Sequence, residues 1–335
     1  MIRVCNNNIE LLSPAGNYDC AKAAIEAGAD AVYMGGEKYS ARAYAESSTD
    51  NSLIDSIRLV KKNNKKFYLT VNTLFKQKEI KEIFLYLDPI VNEGIDAFIV
   101  QDLGVAMLLK EKYPNVNLHA STQMAITSSK GINLVKQLGF TQVVLARELS
   151  LKEIKNIKKE VGNDIKLEAF VHGSMCYSYS GCCLMSSFIG NESGNRGRCK
   201  GPCRLQYHTV EANAKVVGAN TDTIRANTEV VGAKHREPAP YILSMKDMSS
   251  LDVLQNLISA GITSFKIEGR MRKPNYVFGV TKTYRKYLDS IINKSANLNI
   301  INDEKYLLSL YNKGGFTNYY NKHNGYDMIQ LYERK

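Results

Sequence analysis

Short apolar runs recur along this chain, each followed by a stretch with helical spacing, and this alternation limits the fold more than any other feature. The runs are 10–12, 31–34, 67–71, 97–100, 117–120, 142–146, 166–171 and 264–267. Near-continuous apolar runs between amphipathic stretches read as parallel βα units. Helical spacing falls around 19–28, 51–64, 77–94, 103–112, 129–138, 150–161 and 249–260, with a final helix over 274–292. Gly28, Gly94, Gly139 and Gly261 each stand just past a helix, where a left-handed cap favours glycine. Eight such units predict a closed, TIM-like (β/α)8 barrel. An open doubly wound sheet is the alternative, but no phosphate-binding glycine turn follows the first run. The barrel is read over 1–292, with a cysteine-rich insertion at 173–240 after strand seven and a tail at 293–335 packed on the barrel.

In such a barrel the residues just after each strand converge on one mouth, where this fold places its chemistry. Here they are Asn72, Gln101, Asp102, Ser121, Gln123, Arg147, Glu148, His172, Lys266, Glu268 and Arg270. Any one of them serves as well to close the barrel top through a hydrogen bond. Eleven together predict a polar pocket.

The insertion holds five of the seven cysteines, between Cys176 and Cys203. Secreted disulfide scaffolds are short and evenly stapled, whereas these cysteines crowd one loop of a long chain, and the first residues show no signal-peptide core. No apolar run approaches the roughly 20 residues of a membrane span. A cytoplasmic protein with a thiolate metal site is therefore expected. Four thiolates from one loop suit an iron–sulfur cluster; tetrahedral zinc and a Cys199–Cys203 redox disulfide are the other readings. Arg196, Arg198, Lys200 and Arg204 stand beside the cysteines and favour their thiolate forms. Beyond them, 213–237 is polar and partly self-similar (216–219 recurs as 230–233) and reads as a hairpin or mobile flap, or as an insertion without function.

Basic residues number 44 against 33 acidic, a net charge of +11. That balance suits an anionic partner such as RNA, and 20 tyrosines offer faces on which bases stack. A merely Lys-rich protein has the same balance, because no long basic block occurs.

The motifs resemble the collagenase-like peptidase family, peptidase family U32. Its signature is met by Glu168-Ala169-Phe170-Val171-His172-Gly173-Ser174-Met175-Cys176 and by Gly181-Cys182-Cys183-Leu184-Met185-Ser186. A second block runs from Asn195 to Arg204. Further matches are Glu10–Gly16, Ser121–Gln123, Arg147–Ser150, Lys246-Asp247 and Lys266–Met271. The resemblance implies either of two activities: proteolysis, or hydroxylation of a tRNA wobble uridine or an rRNA base. The RNA-modifying members carry a 4Fe–4S cluster on four cysteines of this region and are linked to prephenate as hydroxyl source. By position, Cys176, Cys183, Cys199 and Cys203 match the cluster ligands, and Cys182 is spare.

RNA hydroxylation is the expected activity, because no serine-hydrolase or zinc-protease motif is present. A His172–Cys176 dyad is the only visible peptidase engine, and a cluster ligand cannot also be a free nucleophile. A third reading is a non-catalytic RNA-binding barrel with structural zinc. For the expected enzyme, Arg147, Lys266 and Arg270 bind the carboxylates of a small organic acid, Gln123 and Glu148 orient it, and Glu268 or His172 moves protons. The expected partners are RNA and that acid, with no membrane; a related subunit or a second copy of the chain is a further candidate.

Overall fold

The computed structural model describes residues 9–41, 50–207, 241–295, 298–318 and 328–329. The 213–237 segment lies outside the described residues. In chain order the elements are β1 Glu10–Pro14, α1 Tyr18–Glu26, β2 Ala31–Gly35, α2 Asp50–Lys62, β3 Lys66–Val71, α3 Gln77–Ile80, α4 Ile83–Asn92, β4 Ala97–Val100 and α5 Leu103–Lys112. There follow β5 Asn117–Ala120, α6 Ser129–Gln137, β6 Phe140–Val144, α7 Leu151–Val161, β7 Lys166–Gly173 and α8 Met185–Gly190. The chain continues through β8 Asp247–Ser249, α9 Leu254–Ser259, β9 Ser264–Ile267, α10 Pro274–Asn293, α11 Ile300–Leu310 and β10 Phe316–Thr317.

β1 to β7 pair in sequence, and β9 closes the ring by pairing in parallel with both β7 and β1. The result is a closed eight-stranded parallel barrel with surrounding helices, as the eight apolar runs predict. The strands' outward side chains, such as Leu11, Val32, Phe67, Phe98 and Phe265, form one large core with the helices. Burial of that apolar face is the main force holding helices to barrel.

Several segments depart from the expected pattern. The single helix expected over 77–94 is two helices, α3 and α4. α3 ends at Ile80; its start is capped by Glu79, whose carboxylate accepts from the Lys76 amide at 2.7 Å and pairs with Arg196 at 2.5 Å. Residues 247–249 and 316–317 form β8 and β10, which no periodicity signals because each is too short. β8 runs antiparallel to the upper end of β7 (His172 opposite Ser249), and β10 adds in parallel with Phe316 opposite Asp247.

The barrel interior is polar at its lower end. The Glu10 carboxylate receives Lys66 at 2.8 Å, the Tyr68 hydroxyl at 2.7 Å and Ser264 Oγ at 3.1 Å. Ser264 Oγ also lies 3.1 Å from Glu168, which accepts from Gln142 and pairs with Lys266 Nζ at 2.8 Å. Glu168 and Lys266 are almost wholly buried. An ion pair in a dry interior stabilises the fold only because each charge compensates the other; removing one partner typically costs about 3–5 kcal/mol. Lys266→Met is expected to lose stability of that order in urea unfolding, and Lys266→Met/Glu168→Gln to recover part of it. A single variant as stable as the wild type contradicts the pairing.

Candidate active site at the barrel mouth

Above this polar plug, towards the C-terminal ends of the strands, the Lys266 ammonium lies 4.4 Å from the centre of the Tyr33 ring and 5.5 Å from that of Phe170. Burial pushes the Lys266 pKa down, with Glu168 acting in the opposite direction. The Arg147 guanidinium lies over the Phe170 ring at 4.1 Å, a cation–π contact. Arg270 is buried and donates to Ser40 Oγ at 2.7 Å and Thr70 Oγ1 at 2.8 Å. A Glu268 carboxylate oxygen lies 3.3 Å from the Tyr33 hydroxyl, which also donates to the Ile267 carbonyl at 2.8 Å. The structure thus brings Arg147, Lys266, Glu268 and Arg270 together, but Lys266 and Arg270 already serve protein partners.

Several other predicted mouth residues close the rim. Asn72 accepts from the Ala41 amide at 3.0 Å, and Gln101 donates to the Gln123 carbonyl at 3.3 Å. Asp102 caps α5 through the Val105 amide at 3.0 Å and takes the Phe75 amide at 3.1 Å. Ser121 caps the turn that carries Gln123. His172 points elsewhere. It is buried against Tyr276, Tyr284 and Phe316, its Nδ1 lies 3.3 Å from the Tyr284 hydroxyl, and Nε2 has no hydrogen-bond partner. Burial lowers its pKa to about 3, so the ring is neutral. It makes no hydrogen bond to Cys176, as a dyad requires.

The cysteine loop spans the mouth because polar clamps hold it there. Glu148 accepts from the Ser180 amide and from Ser180 Oγ at 3.1 Å, so its role is to fasten the loop. Gly181 has φ +75°, and a Cβ there would stand 2.2 Å from the Gln123 carbonyl oxygen; only glycine permits this approach. Asn195 donates to the Gly181 carbonyl at 2.7 Å. Arg196 reaches the far rim, binding Glu79 and the Leu74 carbonyl. Arg204 donates to the carbonyls of Met175 and Met245 and to Ser244 Oγ at 3.0 Å. It thereby draws Cys203 beside Cys176. Basic residues read from the sequence as thiolate stabilisers are, for Arg196 and Arg204, clamps.

The thiols share one neighbourhood. Burial, then Cys176 and Cys199, push the Cys203 pKa up, with Arg204 opposing. A Cβ at Gly194 would stand 3.6 Å from the Cys199 Cβ and 3.9 Å from the Cys183 carbonyl oxygen, so these two cysteines flank it. Among the described residues, no three His, Cys, Asp or Glu side chains gather closely enough to hold a single metal ion. Tetrahedral zinc requires sulfurs about 2.3 Å from one centre, whereas a polynuclear cluster holds them further apart. Cys176, Cys183, Cys199 and Cys203 are free thiols, the first and third exposed and the other two half-buried. The outer face of the loop is apolar and exposed: Tyr179 is 72% and Phe188 82% accessible, with Tyr177, Leu184, Ile189 and Leu205 nearby in the chain.

A third group of residues escaped the sequence reading. Asp247, Lys313, Arg272 and Arg204 interact beside the β7 and β9 ends, and Glu268 reaches them from the rim. Burial raises the Asp247 pKa and lowers that of Lys313 to about 8. Only the Lys246-Asp247 motif hinted at this group.

A family model described as Peptidase family U32 matches residues 16–330. The tRNA hydroxylation protein P1 of Bacillus subtilis is 35% identical over 288 residues, 86% of this chain and 65% of its own length. The 23S rRNA 5-hydroxycytidine C2501 synthase of Escherichia coli is 38% identical over 298 residues, 88% of this chain and 41% of its own. A protein named Collagenase from Porphyromonas gingivalis is 30% identical over 326 residues, 94% of this chain and 74% of its own. The chain therefore spans under two thirds of the first two relatives. No helix among the described residues is long and apolar enough to cross a membrane.

If clamps hold the loop, Gly181→Ala and Arg204→Lys should each release it. Arg204→Lys keeps the charge but loses the fork that reaches several acceptors. Limited proteolysis should then cut between 176 and 203 at least tenfold faster, with the barrel's circular dichroism unchanged. Unaltered cleavage in both variants contradicts the clamp.

Proposed function

The chain belongs to peptidase family U32, and from that membership we propose that it is an iron–sulfur RNA-modifying enzyme, hydroxylating a tRNA wobble uridine or an rRNA base with a prephenate-type acid as hydroxyl source. The observation that carries this reading is a loop of four thiol side chains clamped across a charged barrel mouth. The relatives named for tRNA and rRNA hydroxylation support it, as they match the chain through this loop.

Cys176, Cys183, Cys199 and Cys203 would hold a 4Fe–4S cluster, which supplies one-electron chemistry when bound. Around it the chain's own residues bind and orient. Tyr177, Tyr179 and Phe188 offer exposed ring faces to unstacked bases, and Arg198 and Lys200, both exposed, meet phosphates. Arg147, seated on Phe170, presents positive charge to an anion entering the mouth. Glu268, beside the Tyr33 hydroxyl, is the group placed to take or give a proton there. The proposed setting is cytoplasmic.

The peptidase reading keeps the relative named Collagenase in its favour. Its dyad lacks a base, however, because His172 is buried, neutral and turned towards α10. An amide hydrolase also needs an activated nucleophile and oxyanion donors.

The test is nucleoside mass spectrometry of total RNA from a deletion strain. A hydroxylated pyrimidine should vanish, and wild type and Cys182→Ser should restore it, whereas Cys183→Ser and Glu268→Gln should restore less than a tenth. Unchanged nucleosides in the deletion, with gelatin cleavage by the purified protein that disappears in Cys176→Ala, would establish the peptidase reading instead. For RNA binding, Tyr179→Ala/Phe188→Ala should weaken tRNA affinity about tenfold or more, from the loss of about 1–3 kcal/mol per stacked base. Undiminished binding in a filter assay sinks the stacking role.

A further inference from the structure

Asp247 presents an unusual problem for a folded chain. Its side chain is 1% exposed, yet Oδ1 has no hydrogen-bond partner. Ser174 donates to the other side of the carboxylate and itself receives Arg272 Nη2 at 3.0 Å. The backbone there is pinned: the Asp247 amide donates to the Gly315 carbonyl at 3.1 Å, and Gly315 N–H is held by Asn312 Oδ1 at 2.9 Å. Lys313, on the loop between α11 and β10, lies near enough to the Asp247 carboxylate for the two charges to interact. The Arg272 guanidinium lies 3.4 Å from the Tyr311 ring centre, which fixes it on the same side.

Charge balance then shows what is missing. Lys313, Arg272 and Arg204 face Asp247 and Glu268, so cations exceed carboxylates by one. The hydrogen bonds of Arg204 go to two main-chain carbonyls and to Ser244 Oγ, neutral acceptors that leave the excess of one in place. A half-buried cation excess attracts an anion, and a buried carboxylate oxygen without a partner is costly until a hydroxyl meets it. At the mouth, by contrast, Lys266 is paired with Glu168 and Arg270 with Ser40 and Thr70.

We propose that Lys313, Arg272 and Asp247 form the binding subsite for a small hydroxylated carboxylic acid, beside Cys203 and outside the barrel proper. Lys313 and Arg272 take the carboxylate, and Asp247 Oδ1 shares a hydrogen bond with the hydroxyl. The use of that acid as hydroxyl source rests on the function proposed above; the subsite itself does not. Its tail residue Lys313 makes the segment after α11 part of the site.

L-malate and succinate, which differ by one hydroxyl, serve as probes in isothermal titration calorimetry on the full chain. Malate should bind at least tenfold more tightly than succinate, the effect expected of a hydrogen bond to a charged group. Lys313→Met should weaken malate at least tenfold, and Lys313→Arg should retain it. Asp247→Ala should bring malate down to the affinity of succinate; should that variant fail to fold, the Lys313 pair decides alone. The proposal is overturned by absent malate binding at millimolar concentration, by undiminished binding in Lys313→Met, or by binding lost in Arg147→Ala but kept in Lys313→Met. Malate binding that follows these expectations, together with unchanged nucleosides in the deletion strain, would remove the hydroxylation reading and leave the subsite standing.

Discussion

The guanidinium of Arg204 ties together three parts of the chain. It joins the carbonyl before Cys176, the segment leading into β8, and its own position after Cys203. Hydrogen bonds to a charged group contribute about 1.5–3 kcal/mol each, more than neutral ones. The loop needs them, because its apolar side chains face outward and give it little core of its own. Glu148, Asn195 and Arg196 repeat the device at other points of the rim, and the thiols come together as a consequence.

Polar residues inside the barrel divide by depth. Glu10, Ser264, Glu168 and Lys266 satisfy one another and plug the lower end, where most barrels of this type pack branched apolar side chains. His119, buried beside Tyr68, is kept neutral by burial and by neighbouring lysines, with a pKa of about 3. The proposed chemistry falls instead to the upper layer, where Arg147 lies over Phe170 and Glu268 beside the Tyr33 hydroxyl.

The barrel could be read from the sequence because each strand is buried on both sides and its apolar run is nearly unbroken. The strands over 97–100, 117–120 and 264–267 coincide with the apolar runs that predict them. Roles inside the mouth were harder to read, since residue type does not reveal a partner. Lys266 and Arg270 look like anion-binding residues in sequence, and only three dimensions bring Glu168, Ser40 and Thr70 to them. His172 sits in the strongest motif, but a register shift between Phe170 and His172 turns it into the helix layer. Lys313 was missed because a two-residue strand on a three-residue strand leaves no pattern to find.

Everything proposed for catalysis depends on what the four thiols hold. The most direct measurement is iron and acid-labile sulfide content, with Mössbauer spectroscopy, on protein purified without oxygen. Four irons and four sulfides per chain, with the spectrum of a cubane cluster, are the predicted result. One equivalent of zinc without iron or sulfide would contradict it.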